Sequence, residues 1–284
     1  MMTDEDAPAR ERGTHEPAHS YALNIAGQCA IALFLDAQDA LPARTATARV
    51  FGVTPLSAET RALYQTALGQ VEVGAVLDHL GTGWVALHAL PATVNGEGID
   101  HLVIGPTGVY IVTTLNHARQ AVWASQRTLT IGGIRFPHIR NMEFEMGRVE
   151  RVLSTATGRA VEVSGVLAVV APKSLTVRQK HRDVEVLPAA EIASWLGGRR
   201  RVLSPEDISD IASAAAEPKN WAPDTSTARD GVALHARFQQ VRLEVTSAWR
   251  RQLTWAIGAS FIAAGGFLAV TYVILLTSLG MLPR

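Results

Sequence analysis

The chain has 284 residues, 48% of them hydrophobic, with 26 basic and 26 acidic side chains and a formal net charge of zero. Such a balance argues against a constitutive duplex-DNA binder, whose affinity comes largely from neutralising phosphates. The one cysteine, Cys29, excludes an internal disulfide and suits a reducing compartment, and its apolar neighbours predict a small packed residue rather than a reactive thiol.

Residues 1–20 mix Asp, Glu, Arg, His and Pro without an apolar stretch, so they are expected to be disordered and not a secretory signal. Segment 21–41 is Ala- and Leu-rich and should be helical. Segment 42–56, with Pro42 and Pro55, connects it onward as the rest of an N-terminal extension. A longer helix should start behind Ser57, whose hydroxyl can accept from the unpaired amides of a first turn, and run to 80 with Gly81 as its stop.

After Gly83 the hydrophobic period shortens to two. Runs 84–88, 99–104 and 109–113 read as strands, and Gly105-Pro106-Thr107-Gly108 as a hairpin turn between two of them. Weaker edge strands are expected at 122–124 and 129–131. A helix at 141–155 follows from Met142, Met146, Val149, Val152 and Leu153 at helical spacing. The unbroken apolar run 163–170 suits a strand buried on both faces. A strand at 184–187 and helices at 189–196 and 204–215 complete a domain over 57–216, and 217–231 reads as a linker.

Leu234, Phe238, Val241, Val245 and Trp249 then mark one side of an amphipathic helix over 232–252. That stripe calls for cover from the domain, a second copy of the helix or the membrane surface. From Gln252 to Pro283 no side chain is charged. About twenty apolar residues rising ~1.5 Å each cross a ~30 Å hydrocarbon layer, so 253–282 is expected to be a single-pass tail anchor with 257–279 in the bilayer. Arg237, Arg242, Arg250 and Arg251 precede it and Arg284 alone follows, which places the domain in the cytoplasm.

The order helix, three strands, helix, strand is the αβββαβ core of the restriction-endonuclease-like folds. The wording GEGIDHLVIGPTGVYIVTTLN at 96–116, with GQVEVGAVL at 69–77 and WVALH at 84–88, resembles the nuclease-related domain (NERD) family. The resemblance covers about 69–170 and weakens toward 221. It implies an α/β domain with a mixed sheet and a metal-dependent phosphodiesterase site. In that site a helix Glu, a strand Asp and a Glu-x-Lys pair hold Mg²⁺ and its activated water. Residues two apart on a strand face the same way, which is why the Glu-x-Lys spacing serves one pocket.

Three of the four positions depart from the family pattern. Asp100 matches, but Gln70 stands for the helix Glu, Thr113 for the strand Glu and Leu115 for the Lys. Mg²⁺ gives up its water reluctantly, so Asp100 as the only retained ligand position makes a poor site. Glu72 lies ~200° around the helix from Gln70, and Glu97 precedes Asp100 by an odd offset. The expectation is a degenerate pocket with no catalytic residue and no cofactor, in which Asp100 caps the turn or hydrogen-bonds locally. His101 fits a structural histidine, and the nine histidines show no ligand spacing on a helix. Arg199-Arg200-Arg201 and the group Arg178, Lys180, His181 and Arg182 are solvated loops or contacts for phosphate or anionic lipid.

Three functions remain open. One is a membrane-anchored, inactive nuclease relative that binds nucleic acid or a protein partner. Another is an active Mg²⁺-dependent nuclease with relocated ligands. The last is a structural or signalling adaptor at the bilayer that self-associates through 232–252. The carboxylates lying near Asp100 discriminate among them.

Overall fold

A computed structural model describes residues 20–91, 98–221 and 229–278. The expectations for residues 1–19, for Glu97 and for the middle of the 217–231 linker therefore fall outside the described residues. Helices α1 (Gln28–Asp39), α2 (Ala46–Val50) and α3 (Ala58–Leu77) come first, then strands β1 (Val85–Leu90), β2 (Ile99–Gly105) and β3 (Gly108–Leu115). Three short strands follow, β4 (Ala121–Ala124), β5 (Leu129–Ile131) and β6 (Ile134–Phe136), before helix α4 (His138–Thr157). Strands β7 (Val163–Val169), β8 (Ser174–Val177) and β9 (Val184–Pro188) lead to α5 (Ile192–Gly197), α6 (Pro205–Ala216) and the long α7 (Gly231–Ser278).

The principal sheet has the order β1-β2-β3-β7-β9. The first three strands are antiparallel neighbours, and β3, β7 and β9 run parallel. A parallel return demands a crossover, and α4 supplies it. The mixed αβ core is the one expected for a restriction-endonuclease-like fold. A smaller sheet, β6-β5-β4-β8, takes β4, β5 and β6 from that crossover and β8 from the segment after β7. Its strands β6 and β8 have only three and four residues, and although Phe136, Leu175 and Val177 pack against the larger core, so brief an alternation does not stand out in the sequence.

Local chemistry sets the element boundaries. At the start of α3 the Ser57 hydroxyl accepts from the Thr60 amide at 3.1 Å and the Thr60 hydroxyl accepts from the Ser57 amide at 3.0 Å, a reciprocal cap. Ser204 and Asp207 do the same for α6. The β2–β3 hairpin closes at the pair Gly105–Gly108, and Gly108 takes φ 137°, which favours glycine.

Alternation along β3 divides the interior. Val109, Ile111 and Leu115 belong to the larger core, with α4, α6 and the small sheet. Tyr110 and Val112 belong to the opposite one, with α3 and α5. A third cluster joins α1, α3 and α7 through Phe34, Tyr64 and Phe238, whose ring centroids lie 5.5–5.8 Å apart at tilted or edge-on angles.

The stripe on the first half of α7 is thus covered by the domain itself. Phe238 and Val241 are buried and Leu234 and Val245 partly so, while Trp249 points outward. The expectations for 279–284 fall outside the described residues, over which the helices expected at 232–252 and 253–282 form one element of 48 residues ending at Ser278. Its distal part is long and apolar enough to cross a membrane once, and none of that window is covered by protein. Two local expectations are corrected. Cys29 is exposed, because the inward face of α1 is formed by Ala30, Ile31, Phe34 and Leu35. Trp221, read as linker, is buried and donates its ring N–H to the Ala215 carbonyl at 2.9 Å.

Candidate functional site: a nuclease-type pocket

The pocket lies where α3 crosses the ends of β2 and β3. Gly69 permits that crossing, since a Cβ there would stand 2.8 Å from the Asn116 Cβ and 3.1 Å from the Thr114 Cγ2. Asn116 fastens it by donating its side-chain amide to the Gln65 carbonyl at 2.7 Å. One residue on, Gln70 turns toward β2 and donates Nε2–H to Asp100 Oδ1 at 2.5 Å. The other oxygen, Oδ2, accepts the Thr114 backbone N–H at 2.7 Å. The β2–β3 ladder ends at His101–Val112, so a carboxylate takes over where a backbone carbonyl no longer reaches.

Gln70 and Asp100 are therefore brought together. The Glu-x-Lys positions fare differently. Leu115 is 4% exposed and packed in the larger core. Thr113, two residues earlier, shares its side of β3 and is half-buried. The intervening Thr114 faces α3 and reaches the Asp100–His101 region instead. Glu72 is exposed, on the solvent side of α3. Among the described residues no group of three or more His, Cys, Asp or Glu side chains is placed to hold a metal. At these four positions a divalent cation would meet one carboxylate, each oxygen of which already accepts a hydrogen bond. That donor set does not fit Mg²⁺.

Beside Asp100 the structure places a pair that sequence spacing did not reveal. His88 and His101 face each other across the β1–β2 ladder, with Nδ1 atoms 2.8 Å apart and rings edge-on at 5.0 Å. His101 is fully buried, and its Nε2 lies 3.4 Å from the Thr114 hydroxyl. His88 Nε2 approaches the Asp78 carboxylate at 3.7 Å. One proton arrangement satisfies every atom. Thr114 O–H donates to His101 Nε2, His101 Nδ1–H to His88 Nδ1, and His88 Nε2–H points at Asp78.

Burial holds the His101 pKa well below the ordinary 6.5, and its histidine neighbour lowers it further. Burial also lowers that of His88, against the opposing pull of Asp78. Both rings are thereby biased toward the neutral form. A further ring cluster lies just past the Asp100 end of β3, where His138 stacks on Phe136 at 5.3 Å with His117 beside them.

The basic clusters lie elsewhere. A cleft of about 690 Å³ opens at the hairpin end of β3 and is lined by Thr107, Arg159, Ser164, Arg199, Arg200 and Asp207. Arg159 is paired with Asp207, and Arg199 lies over the Trp195 ring at 4.5 Å, so two of its three cations have partners within the protein. Arg178 similarly covers Trp123 at 4.9 Å. This cleft is at the opposite end of β3 from Asp100 and takes no part in the family-type pocket.

The family model for the nuclease-related domain matches residues 65–170. Those residues run from the middle of α3 through β7, and they form a nuclease-related domain with the restriction-endonuclease-like core. No curated protein and no solved structure matches the chain. The protein thus combines a nuclease-related domain with a long apolar helix suited to spanning a membrane once.

Proposed function

We propose that this protein is a membrane-anchored nuclease relative that has lost phosphodiester cleavage and acts by binding nucleic acid or a protein partner at the bilayer. The observation that carries this reading is the state of the inherited pocket. The Asp100 carboxylate is engaged by Gln70 and by the Thr114 amide, and the position of the family lysine is an apolar core residue. Without a metal or a lysine, the charge developing on a displaced phosphate has nothing here to offset it. Every ~1.4 kcal/mol of lost transition-state stabilisation is a tenfold loss in rate.

The same reading places the domain on the cytoplasmic side, since Arg237, Arg242, Arg250 and Arg251 precede the span. Self-association through 232–252 would have to use the remaining exposed face, which carries Leu243 and Trp249.

The test is a cleavage assay of the purified full chain on single- and double-stranded DNA and RNA with Mg²⁺, alongside Asp100→Ala. Background rates for both proteins are expected, with only a modest change in stability for the variant. Mg²⁺-dependent cleavage abolished by Asp100→Ala would establish the relocated-ligand nuclease instead.

A further inference from the structure

We propose that the 49–53 loop and the base of the α7 span together form a membrane-interface platform. In it Phe51 and Trp255 sit at headgroup level, and Arg49, Arg250 and Arg251 meet the phosphates of an anionic bilayer. This inference rests on α7 crossing the membrane.

The last turn of α2 and the loop after it fold back onto α7, and polar contacts fasten them there. Arg251 donates to the Arg49 carbonyl at 3.0 Å, and the Trp255 ring N–H donates to the Val50 carbonyl at 3.0 Å. The Phe51 and Trp255 rings lie 5.2 Å apart. Gly52 makes the approach possible. It has φ 72°, and a Cβ there would fall 2.4 Å from the Ala248 carbonyl oxygen and 2.5 Å from the Gln252 nitrogen.

A loop held this closely still leaves its large apolar side chains outside. Val50, Phe51 and Val53 are 51–55% exposed, and Trp255, in contact with Phe51, is 51% exposed. These four apolar side chains form a patch of the kind that marks an interaction surface.

Its position along α7 identifies what covers it. The patch is continuous with the span. If Leu276 ends the hydrocarbon layer, about twenty residues at ~1.5 Å each bring its near boundary to Ile257. Trp255 then stands ~3 Å outside that boundary and Arg250 and Arg251 ~9–10 Å outside it. Interfacial tryptophan and phosphate-contacting arginine belong at those heights. Phe51, in contact with Trp255, is held at the same level. Arg44 is engaged with Glu244, whereas Arg49, Arg250 and Arg251 have exposed side chains.

The experiment uses the full chain in vesicles of phosphatidylcholine and phosphatidylglycerol, with Cys29→Ser as background. An environment-sensitive fluorophore is placed in turn at Val53→Cys, at Phe261→Cys within the span, and at Arg127→Cys in the exposed β4–β5 turn. Lipids carrying a shallow nitroxide should quench the probes at 53 and 261 and leave the probe at 127 unquenched. Adding Gly52→Val should abolish quenching at 53 while preserving it at 261. A probe at 53 that behaves like the one at 127, with 261 quenched, would overturn the platform and leave the span intact. Absence of quenching at 261 would overturn the span and the platform with it.

Discussion

At the scale of single residues, the pocket is governed by which way each β3 side chain points. Leu115 is part of the larger core, so restoring the family lysine there would bury a cation among apolar groups. Leu115→Lys should cost about 3 kcal/mol or more, measured by urea unfolding of the solubilised protein. Gln70→Glu, at the half-buried edge, should cost less. A family-like set of side chains is therefore not enough to rebuild the site. The histidine pair makes a separate prediction about pH. The folded pKa of His101 lies below the unfolded 6.5, so between those values the unfolded chain binds a proton that the folded chain refuses. Its stability contribution is present above pH 6.5 and is lost as pH falls toward the folded pKa. His101→Leu should flatten that slope in urea midpoints measured between about pH 5 and 7.

At the scale of elements, the long periodic segments were legible and the short or paired ones were not. Ser57, the Gly105–Gly108 turn and the apolar run at 163 announced α3, the hairpin and β7, because capping, turn geometry and two-sided burial each leave a local signature. Strands β6 and β8 are too short to leave one: Phe136, Leu175 and Val177 face the core, but an alternation of three or four residues does not stand out. The four family-pattern positions could be located by wording alone, yet wording could not show that Thr114 and not Thr113 would donate to Asp100. The register of β1 on β2, which sets His88 opposite His101, depends on a connection that no local rule determines. The sequence marks α7 as apolar along one side and then all round, but it does not determine whether the domain, a second copy or the membrane surface covers the first stripe. The answer, packing on α1 and α3, predicts that Phe238→Ala will cost about 3–5 kcal/mol of domain stability by opening a cavity against Phe34 and Tyr64, detectable as a lowered thermal midpoint.

At the scale of the whole molecule, the domain extends beyond the segment the family model covers. Residues 65–170 contain the hairpin and β7, but α1 and the first half of α7 close the side of α3 that would otherwise face water. Truncation after residue 252 should release a folded, soluble domain. Truncation after residue 230 removes Phe238 and Val241 and should give a protein that aggregates or unfolds cooperatively at lower denaturant. Size-exclusion chromatography of the two fragments, with circular dichroism, separates these outcomes.

Because α7 runs unbroken from the Phe34–Tyr64 contact to the end of its apolar part, it has the mechanics of a mast set rigidly into a deck. An apolar stretch longer than the local hydrocarbon thickness relieves the mismatch by leaning. With no joint between the leaning part and the part locked beneath α1, the lean becomes a rotation of the sheet and of the Asp100 pocket through the same angle. Bilayer thickness would in this way set which face of the domain is turned toward the lipid and which toward the solvent.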